Sequence, residues 1–226
     1  MGRKTGVAAP ESEARQPVPQ RPPARWVLAG VLIWLSLVGA GMAYVWRHAL
    51  TPGQAAQAPG GWPAASALRP AGDRTTLLMW CHPRCPCTRA SLEELAELVQ
   101  RTKGRAFVQV SFVRPPGCSE EWVHGALWRQ ATAIPGVRVV VDDGSEARRF
   151  GVRTSGQTLI FGQDRHLLFS GGLTASRGHV GESEGLAAAT RLARAGAGRF
   201  ETTPVFGCAL LTPKETRALD QQEERR

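Results

Sequence analysis

The apolar run from Trp26 to Trp46, WVLAGVLIWLSLVGAGMAYVW, limits the fold of this chain more than any other feature. It contains no charged residue. As a helix rising about 1.5 Å per residue, it is long enough to cross a hydrocarbon core roughly 30 Å thick. Aromatic residues near both of its ends favour the membrane interface. The run therefore predicts one transmembrane helix, because a core helix of this length usually carries a polar stripe.

Basic residues flank the run unequally. Only Arg47 follows it closely, whereas five basic residues precede it: Arg3, Lys4, Arg15, Arg21 and Arg25. The positive-inside rule then predicts a single-pass protein of the inner (cytoplasmic) membrane, with a cytoplasmic N-terminus and a periplasmic or otherwise extracytoplasmic C-terminal domain. A cleaved signal peptide is the alternative, but the run is long for one. We therefore expect a retained signal-anchor.

Changes in composition divide the chain into five parts. Residues 1–25 are polar and proline-containing, which predicts a disordered cytoplasmic segment. The transmembrane helix spans 26–46, and the Ala-, Gly- and Pro-rich residues 47–73 are typical of a flexible linker. Patterned sequence occupies 74–211 and predicts the one compact domain. Residues 212–226 form a polar tail, in which Thr212 and Glu215 fit a capping box.

Within 74–211, hydrophobic periodicity predicts strands and helices in the order β-α-β-α-β-α-β-β-α. The predicted strands are 75–80, 106–113, 137–143, 158–161 and 166–170, and the predicted helices are 88–101, 122–133, 146–150 and 184–195. This order indicates an α/β fold, a central mixed sheet flanked by helices in the thioredoxin-like arrangement with an insertion. The formal net charge is +9, but the basic residues are spread along the chain, so we expect no nucleic-acid partner.

Five cysteines are present, and three of them fall within seven residues: Cys81, Cys85, Cys87, Cys118 and Cys208. An odd number leaves at least one thiol outside any intramolecular pair, and clustering is not typical of a disulfide scaffold. A lone cysteine such as Cys118 is most simply incidental. The pattern favours reactive or metal-binding sulfur in the cluster.

Cys85 is the predicted attacking or ligating sulfur. Pro86 suits the first position of a helix, which would make Cys85 the N-cap. There the free N–H groups and the positive end of the helix dipole favour thiolate, and Arg84 and Arg89 add positive potential. Cys87, in C-P-C, or Cys81, in C-x-x-x-C, would resolve it. Cys208 is either a resolving thiol or a buried apolar residue.

At this point the chain from about Thr75 to Leu210 resembles the RedB-type thioredoxin-like membrane proteins of bacteria. The segments that carry the resemblance are HPRCPCTRASLEEL (82–95), AIPGVRVVVDDGSEARRFGVRTSGQTLIF (133–161), LLFSGGLTASRGHVGESEG (167–185) and TPVFGC (203–208). The resemblance implies a thioredoxin fold and membrane association, and it implies little about the reaction.

Two more distant families frame the chemistry. The TlpA-like thiol–disulfide oxidoreductases have a cis-proline where this chain has Gln157. The Sco-type copper chaperones share the C-x-x-x-C-P spacing, but their distal histidine would fall near Thr154 here, so His179 or His166 would have to replace it. In the loop 170–179, Arg177 and His179 could border the cysteines, with His179 as a base or copper ligand; a solvent-exposed turn is the simpler interpretation.

Three functions follow from these residues. The first is a thiol–disulfide oxidoreductase acting on extracytoplasmic protein thiols or disulfides. The second is a copper-binding or copper-delivery protein serving a copper protein, with Cu(I) held by Cys85, Cys87 and His179, or a zinc variant that adds Cys208. The third is a binding module whose cysteines are no longer used.

Overall fold

The computed structural model describes residues 23–212 and 214–215. The chain divides into two units, Met1–Tyr44 and Val45–Arg226. The predictions for 1–22, and for most of the polar tail, lie outside the described residues. In the tail, Thr212 N–H donates to Glu215 Oε2 (2.6 Å) and Glu215 N–H donates to Thr212 Oγ1 (3.3 Å), which are the two reciprocal bonds of a capping box.

The N-terminal helix α1 spans Ala24–Leu50 and contains the predicted run. Nearly all of its side chains are exposed, including large apolar ones such as Trp34 and Leu37. Its 27 residues correspond to about 40 Å of helix. By length and composition, α1 could cross a membrane, and so it is a candidate anchor.

A six-stranded mixed sheet forms the centre of the second unit. Its strands are β1 (Thr75–Cys81), β2 (Ala106–Val113), β3 (Val137–Asp142), β4 (Gln157–Phe161), β5 (Leu167–Gly171) and β6 (Glu201–Thr202). The spatial order is β3-β2-β1-β4-β5-β6. Strands β1, β2 and β3 are parallel, whereas β4 is antiparallel to β1 and to β5. This is a thioredoxin-like fold with β3 added beside β2, as the sequence predicted.

Helices flank this sheet. They are α2 (Thr88–Thr102), α3 (Glu120–Val123), α4 (Ala126–Thr132), α5 (Ser145–Arg149) and α6 (Glu184–Ala195). In α2, Leu92, Leu95 and Leu98 recur at helical spacing and are fully buried. Every residue of β1 is buried, as expected for a central strand covered on both faces. The carboxyl end of β1, where the cysteine run begins, therefore extends from a fully buried strand.

Two features differ from the secondary structure expected from the sequence. The helix predicted over 122–133 is two short helices, because His124 leaves the helical conformation and Gly125 is extended (φ −82°, ψ −160°). Ser119 caps the first of them through the N–H of Trp122. Strand β6 was not predicted, since two residues are too few to show a period.

The segment expected to be a flexible linker packs against the domain. Gly53 N–H donates to Val205 O (2.7 Å), and Gly61 forms an antiparallel bridge with His166. The Trp62 ring meets Phe150 and Phe161 edge-on at 5.2 and 5.0 Å between centroids. Ala- and Gly-rich composition indicated flexibility, but these backbone bonds and one aromatic anchor order the segment.

Candidate functional site

The cysteine run connects β1 to α2. Cys81 is the last residue of β1 and is fully buried, and α2 begins at Thr88. The N-cap is Cys87, not Cys85 as predicted, and its side chain makes no capping bond. A turn with Thr88 N–H donating to Cys85 O (3.1 Å) precedes the first helical bond, which runs from Ser91 N–H to Cys87 O (3.4 Å). Pro86 therefore lies in this turn, one position ahead of the helix cap.

Cys208 is the direct neighbour of Cys85, although 123 residues separate them in sequence. Their Sγ atoms are 2.9 Å apart. The Cys208 N–H also donates to Cys85 Sγ at 3.4 Å. Cys85 itself is only 1% exposed. The described cysteines are all free thiols, so this pair is a dithiol at contact distance.

Hydrogen bonds make Cys85 the more acidic member of the pair. Burial raises the pKa of the Cys85 thiol, but donors from Cys208, from the Thr88 hydroxyl and from the Cys87 N–H outweigh burial, so the net pKa is lowered. Thiolate is the nucleophilic form of cysteine. The site therefore favours a nucleophile at Cys85.

The other sulfurs are held as thiols. Burial, then the hydrogen bond with Cys85 and its charge, raises the pKa of Cys208 to about 12. Burial and the Cys85 charge also raise the pKa of Cys87. Cys81 is enclosed in the sheet, and burial followed by the Cys85 charge raises its pKa strongly. Cys85 is therefore the member of this cluster that ionises first.

A short hydroxyl chain connects the site to the sheet. Thr88 Oγ1 and Ser155 Oγ are 2.7 Å apart, and Ser155 Oγ accepts the N–H of His82 at 2.8 Å. Because the Thr88 hydroxyl donates to the Cys85 sulfur, the Ser155 hydroxyl donates to Thr88 Oγ1. These bonds fix the orientation of the donor that lowers the pKa of Cys85.

Cys208 lies on a segment that we call the strap, residues 204–210. The strap runs antiparallel to the loop before β4: Ser155 N–H donates to Cys208 O (2.8 Å), and Leu210 N–H donates to Arg153 O (2.9 Å). Gly207 lies directly on the Ser155 carbonyl, where a Cβ would clash. Its apolar side chains are buried: Val205, Phe206 and Leu210. The strap covers Cys85 and carries its partner thiol.

Arg177 lies beside the strap on the loop that follows β5. Its Nη1 donates to Gly207 O at 2.6 Å. Its side chain also hydrogen-bonds Cys87, and its charge acts on both Cys87 and Cys208 to oppose the rise in their pKa. The sequence left this loop as either a border of the cysteine site or a solvent-exposed turn, and in the structure Arg177 contacts the cysteines.

Gln157 begins β4, where the resemblance to TlpA-like proteins would have placed a cis-proline. No peptide bond among the described residues is cis. Gln157 is 1% exposed, and its Nε2 donates to Ser170 Oγ at 3.1 Å while its Oε1 has no partner. Gly156 before it has φ +87°, and a Cβ there would meet Ser91 Oγ. A left-handed glycine therefore makes the bend at this loop.

The predicted metal ligands do not come together in the described part of the chain. His179 is exposed on its loop, with its N–H bonded to Ser176 O. His166 is exposed as well and pairs with Gly61. Within residues 23–212, no group of three or more His, Cys, Asp or Glu side chains could hold a metal ion. The predicted ligand sets, which combine cysteines with His179, are therefore not assembled for a resident copper or zinc ion.

The side chains of Arg84 and His82, next to the cysteines, both contact the Trp122 ring. The Arg84 guanidinium lies over the Trp122 ring, 4.8 Å from its centroid, and does not contribute to the lowered pKa of Cys85. His82 meets the same ring edge-on at 5.7 Å, and burial lowers its pKa. Cys118 lies in a turn after β2, with its N–H bonded to Pro115 O.

Sequence reasoning missed Thr88 and Ser155. Thr88 could have been identified as the first hydroxyl after the cysteine run, at the start of a helix where side chains point to free N–H groups. Ser155 carries no such signal, because it approaches the site only through the pairing of β4 with β1.

Comparison with known proteins bears on the fold. No family model matches the chain, and no curated protein matches it. Among solved structures, it is similar to a hypothetical protein from Sinorhizobium meliloti, with 18% identity and a TM-score of 0.54 over 71% of this chain and 97% of that one.

Two further structures are more distant. One is the pneumococcal exposed lipoprotein thioredoxin from Streptococcus pneumoniae, at 18% identity and a TM-score of 0.39, covering 55% of this chain and 86% of that one. The other is copper-bound ScoI of Bradyrhizobium japonicum, at 13% identity and a TM-score of 0.36, covering 52% and 84%. The thioredoxin-like fold of the chain is shown by its own strand order and strand directions.

Proposed function

We propose that this chain is a membrane-anchored thiol–disulfide oxidoreductase in which Cys85 attacks and Cys208 resolves. The contact of 2.9 Å between their sulfur atoms is the observation that carries the proposal. Cys208 therefore replaces Cys87 and Cys81 as the first choice for the resolving thiol. Cys81 is enclosed in β1, and no substrate could reach it without unfolding the sheet.

The reaction balances as follows. The Cys85 thiolate attacks one sulfur of a substrate disulfide, which gives a mixed disulfide and one substrate thiolate. Cys208 then loses its proton to that thiolate and attacks Cys85 Sγ. The Cys85–Cys208 disulfide forms and the second substrate thiolate leaves. The protein dithiol is oxidised by two electrons, and the substrate disulfide is reduced; the reverse sequence oxidises a substrate dithiol.

The strap has to move for this chemistry. Cys85 is 1% exposed, so a protein disulfide reaches it only when residues 204–210 lift from the loop before β4. The strap is held by a few backbone bonds and three buried apolar side chains, which is compatible with local opening. Its return brings Cys208 back to Cys85 for the second step.

The proposal includes the location of the enzyme. α1 anchors the protein in the inner membrane, and the excess of basic residues before it favours a cytoplasmic N-terminus. The thioredoxin-like domain then faces the periplasm or another extracytoplasmic space, where disulfides persist. The substrates are extracytoplasmic protein thiols or disulfides. Membership of the RedB-type proteins, which the sequence resembles, is part of the same proposal.

A turnover assay tests the proposed function. The full chain in detergent, supplied with a thiol reductant, should reduce a protein disulfide such as that of insulin. Cys85→Ser should abolish the activity, and Cys208→Ser should lower it at least about 10-fold while mixed disulfide accumulates. Cys118→Ser is the matched control and should retain full activity. Full activity in Cys85→Ser would refute the proposal.

Copper delivery is the second candidate, and it rests on the contact between the Cys85 and Cys208 sulfurs, because no group of three or more ligands comes together in the described residues. Cu(I) would then be cargo held by these two thiols. Titration of the reduced chain with Cu(I) against a chelator distinguishes the two functions. Weak binding with active disulfide reduction supports the oxidoreductase, and tight binding lost in Cys85→Ser without reductase activity supports copper delivery.

A further inference from the structure

Arg177 combines a structural contact with an unused donor. Its Nη1 holds Gly207 O at 2.6 Å, one residue before the resolving thiol. Its Nε–H is buried and has no hydrogen-bond partner in the reduced protein. A buried guanidinium donor without an acceptor is costly to leave unpaired. An acceptor that forms later in the reaction would satisfy it.

Arg177 also acts through its charge on Cys208, the residue that follows Gly207. The titratable and charged groups that act on Cys208 are Cys85, Cys87 and Arg177. After burial, the largest effects that keep Cys208 protonated are its hydrogen bond with Cys85 and the Cys85 charge, and Arg177 opposes them. When Cys85 is bound to substrate in a mixed disulfide, its negative charge is gone. Arg177 remains and then favours the Cys208 thiolate.

We propose that Arg177 is the positioning residue of the resolving step: it holds the strap at Gly207 and stabilises the Cys208 thiolate that forms once Cys85 is bound to substrate. This inference rests on the proposed function. The Cys208 proton goes to the substrate thiolate released by the first attack, and Cys208 Sγ then bonds to Cys85 Sγ as the Cys85–substrate bond breaks and the second substrate sulfur leaves as a thiolate. The resolving thiol is thus activated by the preceding step and stays inactive before it.

Stopped-flow reaction with one equivalent of 5,5′-dithiobis(2-nitrobenzoate) separates the two steps. The reduced full chain with Cys118→Ser is used in detergent. A first, concentration-dependent release of thionitrobenzoate reports attack by Cys85. A second, concentration-independent release reports resolution, and mass spectrometry of the product identifies the Cys85–Cys208 disulfide.

Arg177→Gln should slow the second release about 10-fold or more at pH 7 and move its pH midpoint upward, because a charge-assisted hydrogen bond to the thiolate is lost. The first release should be no slower, since Arg177 is not among the groups that lower the pKa of Cys85. Arg177→Lys keeps the charge and should recover most of the second rate. Arg199→Gln, at an exposed position, is the matched control and should change neither release.

Two results would overturn the inference. One is an unchanged second release in Arg177→Gln. The other is a second release slowed by the same factor at every pH with an unmoved midpoint and no recovery in Arg177→Lys, which is the behaviour of a residue that only holds the strap. Failure of the proposed function gives a different result, because the chain with Arg177 intact would then show no second release and no Cys85–Cys208 disulfide.

Discussion

At the scale of single residues, the site assigns different protonation states to two neighbouring thiols. Cys85 receives donors from Cys208, Thr88 and the Cys87 N–H, whereas burial and then the contact with Cys85 raise the pKa of Cys208 to about 12. One proton shared by two sulfurs cannot serve both, so acidity in one is coupled to its loss in the other. A nucleophile and a proton-holding partner therefore arise from a single pair.

The lowered pKa of Cys85 predicts a pH dependence. Thiolate is the reactive form, so the rate of alkylation rises as pH increases through the pKa of Cys85. The midpoint for Cys85 should lie below the ordinary value of 9.0. Iodoacetamide labelling of the reduced full chain at a series of pH values, read by mass spectrometry at Cys85, measures it. A midpoint at or above 9.0 would contradict the lowered pKa.

The Thr88 hydroxyl should contribute to that acidity. Thr88→Ala removes one donor to the Cys85 sulfur and leaves the Ser155 hydroxyl with only its bond from the His82 N–H. At pH 7 the alkylation of Cys85 should slow roughly 3- to 10-fold, the value of one hydrogen bond, and the midpoint should move upward. Thr132→Ala, whose hydroxyl bonds only within α4, is the control. Equal rates in the two variants would show that Thr88 has no such role.

At the scale of elements, the strap and the β3–α5 connection hold the site in different ways. The strap is paired to the loop before β4 and carries Cys208, the proposed resolving thiol. Asp142, at the end of β3, only supports the framework: its carboxylate accepts the Trp80 indole N–H (3.0 Å) and the N–H groups of Gly144, Glu146 and Ala147. Damage to the first should affect catalysis, and damage to the second should affect stability.

Gly207→Ala should displace the strap. The new Cβ would run into the Ser155 carbonyl, and backbone cannot move aside cheaply. We expect slower resolution, about 10-fold or more, together with faster alkylation of the uncovered Cys85. Gly72→Ala is the matched control, since nothing lies within 4 Å of its Cβ and its φ is ordinary. Slower alkylation of Cys85 in Gly207→Ala would contradict the covering role of the strap.

Asp142→Ala should destabilise the domain by about 2–4 kcal/mol, because it leaves buried N–H donors, including that of Trp80, without an acceptor. Asp143→Ala, at an exposed neighbouring position, is the control and should cost much less. Urea denaturation of the full chain in detergent measures both. A loss in Asp142→Ala no larger than that in Asp143→Ala would contradict the account.

At the scale of the whole molecule, strands and helices with a clear hydrophobic pattern could be predicted from the sequence, whereas long-range contacts could not. The length of the apolar run predicted the buried strand β1, and the helical spacing of the leucines predicted α2. The contact of Cys208 with Cys85 could not be predicted from such patterns. It depends on where the irregular strap folds, and the two residues are 123 positions apart in sequence. The turn that moves the N-cap from Cys85 to Cys87, and the bonds that order the linker, are likewise set by tertiary structure.

The proposed membrane anchor concerns the whole molecule and has its own test. Carbonate extraction should leave the full chain in the membrane pellet. Leu32→Arg with Leu35→Arg in α1 should release it, because each arginine at the centre of a span costs about 2.5–3.5 kcal/mol. Leu32→Ala with Leu35→Ala is the matched control and should remain in the pellet. Release of the unsubstituted chain by carbonate would contradict the anchor.

Disulfide mapping tests the central claim most directly. The reduced full chain is treated with one equivalent of a small disulfide such as oxidised glutathione, quenched with acid, alkylated and mapped by mass spectrometry. The account predicts a Cys85–Cys208 disulfide, with Cys81 and Cys118 recovered as thiols. A Cys85–Cys87 disulfide as the main product, or Cys85 and Cys208 both recovered as thiols, would contradict it.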